Sequence, residues 1–269
     1  MAQASGKIKI YIFSSLVLSL ICALLFTAAY LISFEPYIGY FKTSAFLPVL
    51  ATTITLVTLV WFFSSLILIP KSAVKADAPQ YGKSSKLTAG ICSAGFAVYT
   101  LYRLFMLNVV ATVPLLLTQA CILLGALSTL FFLFIMLNKG TGISCKIYAG
   151  FAPIFWAAVS MTEAYVNKNI AMNNPFKITQ MMAMMSFMLF MVYELRFLLG
   201  RGMPRLFMIF TLVGTLVSSV FIIPFLVVTI AGTYTLPDLL AAGCMNLLLT
   251  GYMVSRLFDF TTINSNPSV

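Results

Sequence analysis

The sequence predicts an all-α fold, a polytopic membrane bundle of about eight transmembrane helices with the N- and C-termini both on the cytoplasmic side. Three observations predict it. Of 269 residues, 61% are hydrophobic and 8% charged, against about 25% charged in soluble domains, and the mean hydropathy is +1.04. So little charge cannot coat a water-facing surface, and lipid has to solvate most of the chain. Eight apolar runs follow one another, each near the ~20 residues that cross a bilayer. The basic residues concentrate on alternate connections, the bias that sets membrane orientation.

The first run, 8–34, follows Lys7 and Lys9. It exceeds the ~7–15 residues of a signal-peptide core and no A-x-A site follows, so it reads as a retained span. The next link carries Pro36, Tyr37, Tyr40 and Phe41, aromatics that suit the membrane interface. Span two, 45–69, ends at Pro70 and holds Thr52, Thr53, Thr55 and Thr58, whose hydroxyls can bond their own helix carbonyls. The polar loop Lys71 to Lys86 sets four lysines against Asp77. Span three, 87–107, has Ala89, Ser93 and Ala97 at four-residue spacing, a stripe that lets helices approach closely. Its second half contains Arg103.

A short turn through Asn108 leads to span four, 112–137, with Pro114 in its first turn, where proline is tolerated. After the turn Asn138 to Gly142, span five, 147–166, contains Pro153, Trp156 and Glu163. An Asn-rich link, 167–177, precedes span six, 178–199, which carries six methionines between Met181 and Met191. Methionine fills gaps in packed cores, and no cysteine or histidine accompanies these as a copper site would want. The turn 200–205 leads to span seven, 206–231, with Pro224. Span eight, 237–258, has Asp238 in its first turn, where an acid suits the positive helix end. A short polar tail is expected from Asp259.

Orientation follows from the basic residues. With the N-terminus inside, the inner side takes Lys7, Lys9, Lys71, Lys75, Lys83, Lys86, Lys139, Lys146, Arg196, Arg201, Arg205 and Arg256. The outer side takes Lys42, Arg103, Lys168 and Lys177. Twelve against four favours cytoplasmic termini.

Whole classes of chemistry are disfavoured. The chain has no histidine, which removes histidine-based acid–base chemistry, haem ligation and most zinc sites. Its five cysteines have no metal-ligand spacing. No G-x-S-x-G, H-E-x-x-H or Walker A motif occurs. The net charge of +10 is scattered between apolar runs, which argues for topology signals and against nucleic acid. No cofactor or metal site is expected. The expected partners are the lipid bilayer and a protein met through the cytoplasmic basic loops.

Ionisable residues inside a membrane need partners. Arg103 lies sixteen residues into span three and Glu163 sixteen into span five, so the two sit at similar depth and can pair. Tyr99 precedes Arg103 by four and Trp156 precedes Glu163 by seven, each on the same helix face. Tyr99, Arg103, Trp156 and Glu163 therefore form a candidate outward polar pocket for a ligand, set against the alternative of a structural ion pair. Glu194 lies near the inner end of span six. Arg196 is ~200° round the helix from it, so the expected partner is Arg256 or Arg201. Asn246, Thr250 and Gln119 are expected to bond between helices.

The segments FEPYIGYF (34–41), MNNPFK (172–177) and YELRFLLGR (193–201) resemble recurring segments of a family of uncharacterised multi-pass membrane proteins of anaerobic Gram-positive bacteria. The resemblance implies a bacterial cell membrane and transfers no functional residues. Function divides into two readings: a membrane scaffold, sensor or complex subunit, and a small-molecule transporter or permease-like protein using the Arg103–Glu163 pocket. An enzyme is disfavoured, because the usual catalytic constellations are missing.

Overall fold

Proline and asparagine set several of the helix starts. Asn174 caps one helix, its side-chain oxygen accepting the Phe176 N–H at 2.9 Å, and Pro175 takes the first helical position. Pro204 and Pro237 open two others. Gly200, at φ 70°, supplies the left-handed residue that turns the chain after the Asn174-capped helix. The computed structural model describes residues 2–68, 81–106, 114–137, 143–232 and 237–263. Lys71, Lys75 and Asp77, Asn108, Lys139 and the tail 264–269 lie outside the described residues, as do the side chains of Lys7 and Asp238.

Eight helices are described: α1 (Ala2–Ser33), α2 (Phe46–Leu68), α3 (Lys83–Met106), α4 (Leu115–Leu137), α5 (Ile143–Val166), α6 (Pro175–Leu198), α7 (Pro204–Ile230) and α8 (Pro237–Ile263). A two-stranded antiparallel hairpin, β1 (Phe34–Glu35) and β2 (Tyr40–Phe41), joins α1 to α2, turning at Gly39 with φ 78°. At 1.5 Å per residue, helices of 23 to 32 residues reach about 35–48 Å, beyond the ~30 Å of a hydrocarbon core. Six of them, α1, α2, α3, α4, α6 and α7, are long and apolar enough to cross a membrane. Among the described residues, buried charge lies on three helices, two residues each: Lys146 and Glu163 on α5, Lys177 and Glu194 on α6, Arg256 and Asp259 on α8.

The helices run up and down. Residues at the start of α3 meet residues at the end of α8 (Gly82 and Ser85 with Asp259), and the end of α3 meets the end of α5 (Arg103 with Glu163). The proximal end, where α1 begins and α8 ends, is the one expected to be cytoplasmic. Helices α3 to α8 close a ring in which each packs on the next and α8 returns to α3. Outside the ring, α1 lies along α7, and α2 packs on α1 and α7.

An unbroken string of aromatic rings crosses the middle of this ring. Trp156 meets Phe96 at 4.8 Å between centroids, Phe96 meets Phe132 at 5.5 Å, and Phe132 meets Tyr252 at 5.2 Å. Tyr252 then meets Phe190 at 5.9 Å, and Phe190 meets Phe207 at 5.8 Å. Each of the six helices gives one ring, and all six side chains are fully buried. Stacked, tilted and edge-to-face pairs of this kind are favourable beyond simple burial.

The exterior is apolar too. Phe46, Val60 and Ile67 on α2, Phe105 on α3 and Leu116 on α4 are each more than 70% exposed. Water would penalise such a surface, whereas lipid tails match it. The span-two threonines behave as expected, Thr52, Thr53, Thr55 and Thr58 each donating to the carbonyl four residues back. The methionines of α6 divide: Met184 and Met191 are fully buried, while Met182 and Met185 face outward.

Three expectations are corrected. Asn246 and Thr250 bond within α8, to the carbonyls of Ala242 and Asn246, and not between helices. Gln119 is exposed. The tail does not begin at Asp259: α8 continues to Ile263 and Asp259 is 5% exposed, because its carboxylate finds partners on α3.

Candidate functional site

Polar chemistry gathers at two places, one toward each end of the ring. At the distal end, α3 supplies Tyr99, Thr100 and Arg103, α4 supplies Cys121 and Gly125, and α5 supplies Trp156, Ser160 and Glu163. Arg103 forms an ion pair with Glu163, and its guanidinium carbon lies 6.0 Å from the centre of the Tyr99 ring. The Tyr99 ring stands edge-on to Trp156 at 5.6 Å and 87°. The Tyr99 hydroxyl meets the Cys121 thiol at 3.4 Å, and that thiol meets the Ser160 hydroxyl at 3.3 Å. The structure thus brings together all four residues of the expected pocket. Glu163 and Tyr99 are buried and Trp156 fully so, while the Arg103 side chain keeps 24% exposure.

Cys121, Ser160 and Thr100 are additions. Ser160 precedes Glu163 by three residues, so helical spacing places both on one face. Cys121 gave no such signal, because its contacts depend on how α4 is rotated against two other helices. Three polar atoms of the cluster, Arg103 Nε, Trp156 Nε1 and Thr100 Oγ1, are buried without a hydrogen-bond partner among the described residues. Two of these side chains, Thr100 and Trp156, close against Gly125. A Cβ built there would lie 2.8 Å from Thr100 Oγ1 and 3.8 Å from Trp156 Cδ1. Arginine Nε and indole Nε1 can only donate, so whatever satisfies them accepts hydrogen bonds.

Next to this cluster an apolar groove of about 530 Å³ runs between α3 and α8. Gly95, Val98, Tyr99, Tyr102, Cys244 and Leu248 are among its walls. Val98 and Tyr102 are exposed, so the groove faces the outside of the ring, and Tyr99 separates it from the polar cluster.

At the proximal end Arg256 binds two carboxylates. Its Nε donates to Glu194 Oε1 at 2.9 Å and its Nη1 to Asp259 Oδ2 at 2.9 Å. Glu194 also accepts from the Tyr252 hydroxyl at 3.4 Å. Asp259 accepts from the Gly82 N–H at 3.1 Å and the Ser85 hydroxyl at 2.5 Å, so it caps the start of α3 from another helix. The Tyr81 ring covers the guanidinium, its centre 4.2 Å from Cζ. Burial pushes the Tyr81 phenol well above the usual tyrosine range and the Glu194 carboxylate adds to the rise, so the ring stays neutral. Of the two partners foreseen for Glu194, Arg256 is the one found. Arg201 is exposed and makes no ion pair among the described residues.

The sequence places Lys177 at the end of the outer link. It lies instead in the first turn of α6, 1% exposed, with its ammonium donating to the carbonyls of Asn167 (3.0 Å) and Ile170 (3.2 Å). A cation there also suits the carbonyl end of α5.

The distal pair yields a direct prediction. Arg103→Ala and Glu163→Ala should each destabilise the chain by about 1–2 kcal/mol, between the values for exposed and fully buried pairs. The double mutant should lose less than the sum, with coupling of about 0.5–1 kcal/mol. Unfolding by SDS titration of the detergent-solubilised chain measures this, and strict additivity would refute the contact.

No protein-family model, curated protein or solved structure matches the chain.

Proposed function

We propose that the chain acts in the cell membrane as a multi-pass scaffold, sensor or complex subunit, which holds a partner and transforms no substrate. The observation that carries this reading is the string of six buried aromatic rings, one from each helix of the ring. It runs through the interior of the bundle from the distal cluster to the start of α7, filling the depth at which secondary transporters place their substrate sites. The charges support the same reading. Each carboxylate whose side chain is described within a helix (Glu163, Glu194, Asp259) is engaged by an arginine. Partner recognition then falls to the outside of the bundle, where Lys83 is exposed and Lys86 half-buried at the proximal end. The resemblance of 34–41, 172–177 and 193–201 to bacterial multi-pass proteins supports a bacterial cell membrane as the location. Cross-linking mass spectrometry in native membranes tests the proposal. One reproducible partner should link through Lys83 or Lys86, and solute uptake into liposomes holding the purified chain alone would overturn it.

A second reading, a small-molecule binder or permease-like protein at the distal cluster, is favoured by one observation, the unpartnered donors Arg103 Nε and Trp156 Nε1. Its mark would be saturable quenching of Trp156 emission by a solute, read in a Trp61→Phe background and lost in Arg103→Gln.

A further inference from the structure

We infer that the α6–α7 turn at the proximal end binds the phosphate headgroup of an anionic phospholipid. The inference rests on the proposed membrane location. Three arginines, Arg196, Arg201 and Arg205, fall within ten residues of chain around this turn. The described basic residues at the start of α3, Lys83 and Lys86, are lysines. Arginine presents a planar fork of donors that matches phosphate oxygens two at a time, which lysine cannot do. None of the three arginines has a carboxylate partner among the described residues, because Glu194 and Asp259 are turned inward onto Arg256.

The guanidinium groups are held differently. Arg205 is tied to the neighbouring α2, its Nη1 donating to the Leu66 carbonyl near the end of that helix at 3.4 Å. Its Nε is buried and has no partner among the described residues. Arg201 is exposed, and its backbone N–H is bonded to the Arg196 carbonyl at 2.9 Å, which folds the turn back. Arg196 lies 5.9 Å over the Tyr193 ring.

Apolar surface adjoins the charge. Leu199 is 53% exposed, Met203 41%, and Ile67, beside Leu66 on α2, 87%. Unpaired arginine donors over an apolar shelf suit a phosphate with acyl chains beneath it. A soluble anion would use the arginines and leave the shelf idle. If the proximal end is cytoplasmic, the lipid lies in the inner leaflet, where anionic headgroups attract basic residues near the surface.

The test is native mass spectrometry of the full chain, released from detergent with phosphatidylglycerol or phosphatidylcholine. The intact chain should retain phosphatidylglycerol preferentially. Arg201→Gln should lower that retention about fivefold, and Arg201→Gln with Arg205→Gln about twenty-fivefold. The Arg201 side chain is exposed and makes no hydrogen bond or ion pair among the described residues, so Arg201→Gln keeps the test decisive if the double variant unfolds. Lys83→Gln with Lys86→Gln is the control, and an equal loss there would replace a site by diffuse charge and overturn the inference. Equal retention of the two lipids would overturn it as well. Displacement of the lipid by millimolar inorganic phosphate would show a soluble-anion site instead. Release of the chain from membranes by carbonate washing would defeat the membrane reading itself, a failure separate from the lipid result.

Discussion

Arg256→Met should lose about 3–5 kcal/mol of stability, enough to empty the folded fraction of a marginal membrane protein. The size follows from what remains after the change. Neutral hydrogen bonds between membrane helices average only ~0.6 kcal/mol, so losing bonds as such would be minor. Here the loss leaves two carboxylates, Glu194 at 0% and Asp259 at 5% exposure, without their shared cation. They must stay charged in a desolvated site or take up protons, and both are unfavourable. Arg256→Lys should fall between, since one ammonium replaces a guanidinium whose Nε and Nη1 reach different carboxylates. Arg256→Met with Glu194→Met should recover most of the loss, because a well-packed apolar replacement removes charge and countercharge together. Asp259 then keeps the Gly82 N–H and the Ser85 hydroxyl. The measurement is SDS-titrated unfolding, with monodispersity on size exclusion as a second readout. High salt should change little, as buried pairs escape screening. A single mutant within ~0.5 kcal/mol of the parent would contradict the account.

That cluster also shows where sequence reasoning ends. The sequence offers Glu194 either Arg256 or Arg201, because up-and-down helices put residues near the same helix ends at one level, and the structure selects Arg256. The sequence gives no signal for Tyr81 and Ser85, since their part depends on α8 returning to α3, a contact between helices far apart in the chain. Asp259 lies in α8 and not in a tail for a related reason. A charged residue after an apolar run signals a span end only while it lacks a partner, and this one has Arg256, Gly82 and Ser85. Lys146 and Lys177 repeat the lesson at the starts of α5 and α6. Both are buried, and the two helices begin before them, at Ile143 and Pro175.

Two of the segments that carried the family resemblance meet in space. Phe34 and Phe41, on the hairpin, pack with Phe176 and Tyr30, the Tyr30 and Phe176 rings stacked at 4.0 Å. A Cβ at Gly39 would lie 3.2 Å from Asn174 Nδ2. Segments 34–41 and 172–177 therefore form one distal structure, which seats the α1–α2 hairpin on the start of α6. The sequence showed two separate motifs, and only the packing of α1 and α6 against α7 joins them.

Trp156→Ala and Trp156→Phe should separate by about 1.5–3 kcal/mol. Trp156 is fully buried, edge-on to both Phe96 (4.8 Å) and Tyr99 (5.6 Å), so it links the aromatic string to the distal polar cluster. Truncation to alanine leaves a cavity bounded by rings from α3 and should cost about 3–5 kcal/mol. In a membrane the transfer part of that figure shrinks, because lipid tails are as apolar as the core, while the lost van der Waals contacts remain. The value should therefore fall toward the lower bound. Phenylalanine keeps most of the ring contact and removes only the indole N–H. That N–H has no hydrogen-bond partner among the described residues, so its removal relieves a buried unsatisfied donor and offsets part of the lost volume. The expected cost is below about 1.5 kcal/mol. SDS-titrated unfolding of both variants measures the difference. If phenylalanine proves as damaging as alanine, the indole N–H has a bound acceptor at the distal cluster. If stability is kept but solute quenching at the cluster is lost, the N–H serves binding and not packing, and the small-molecule reading gains over the scaffold.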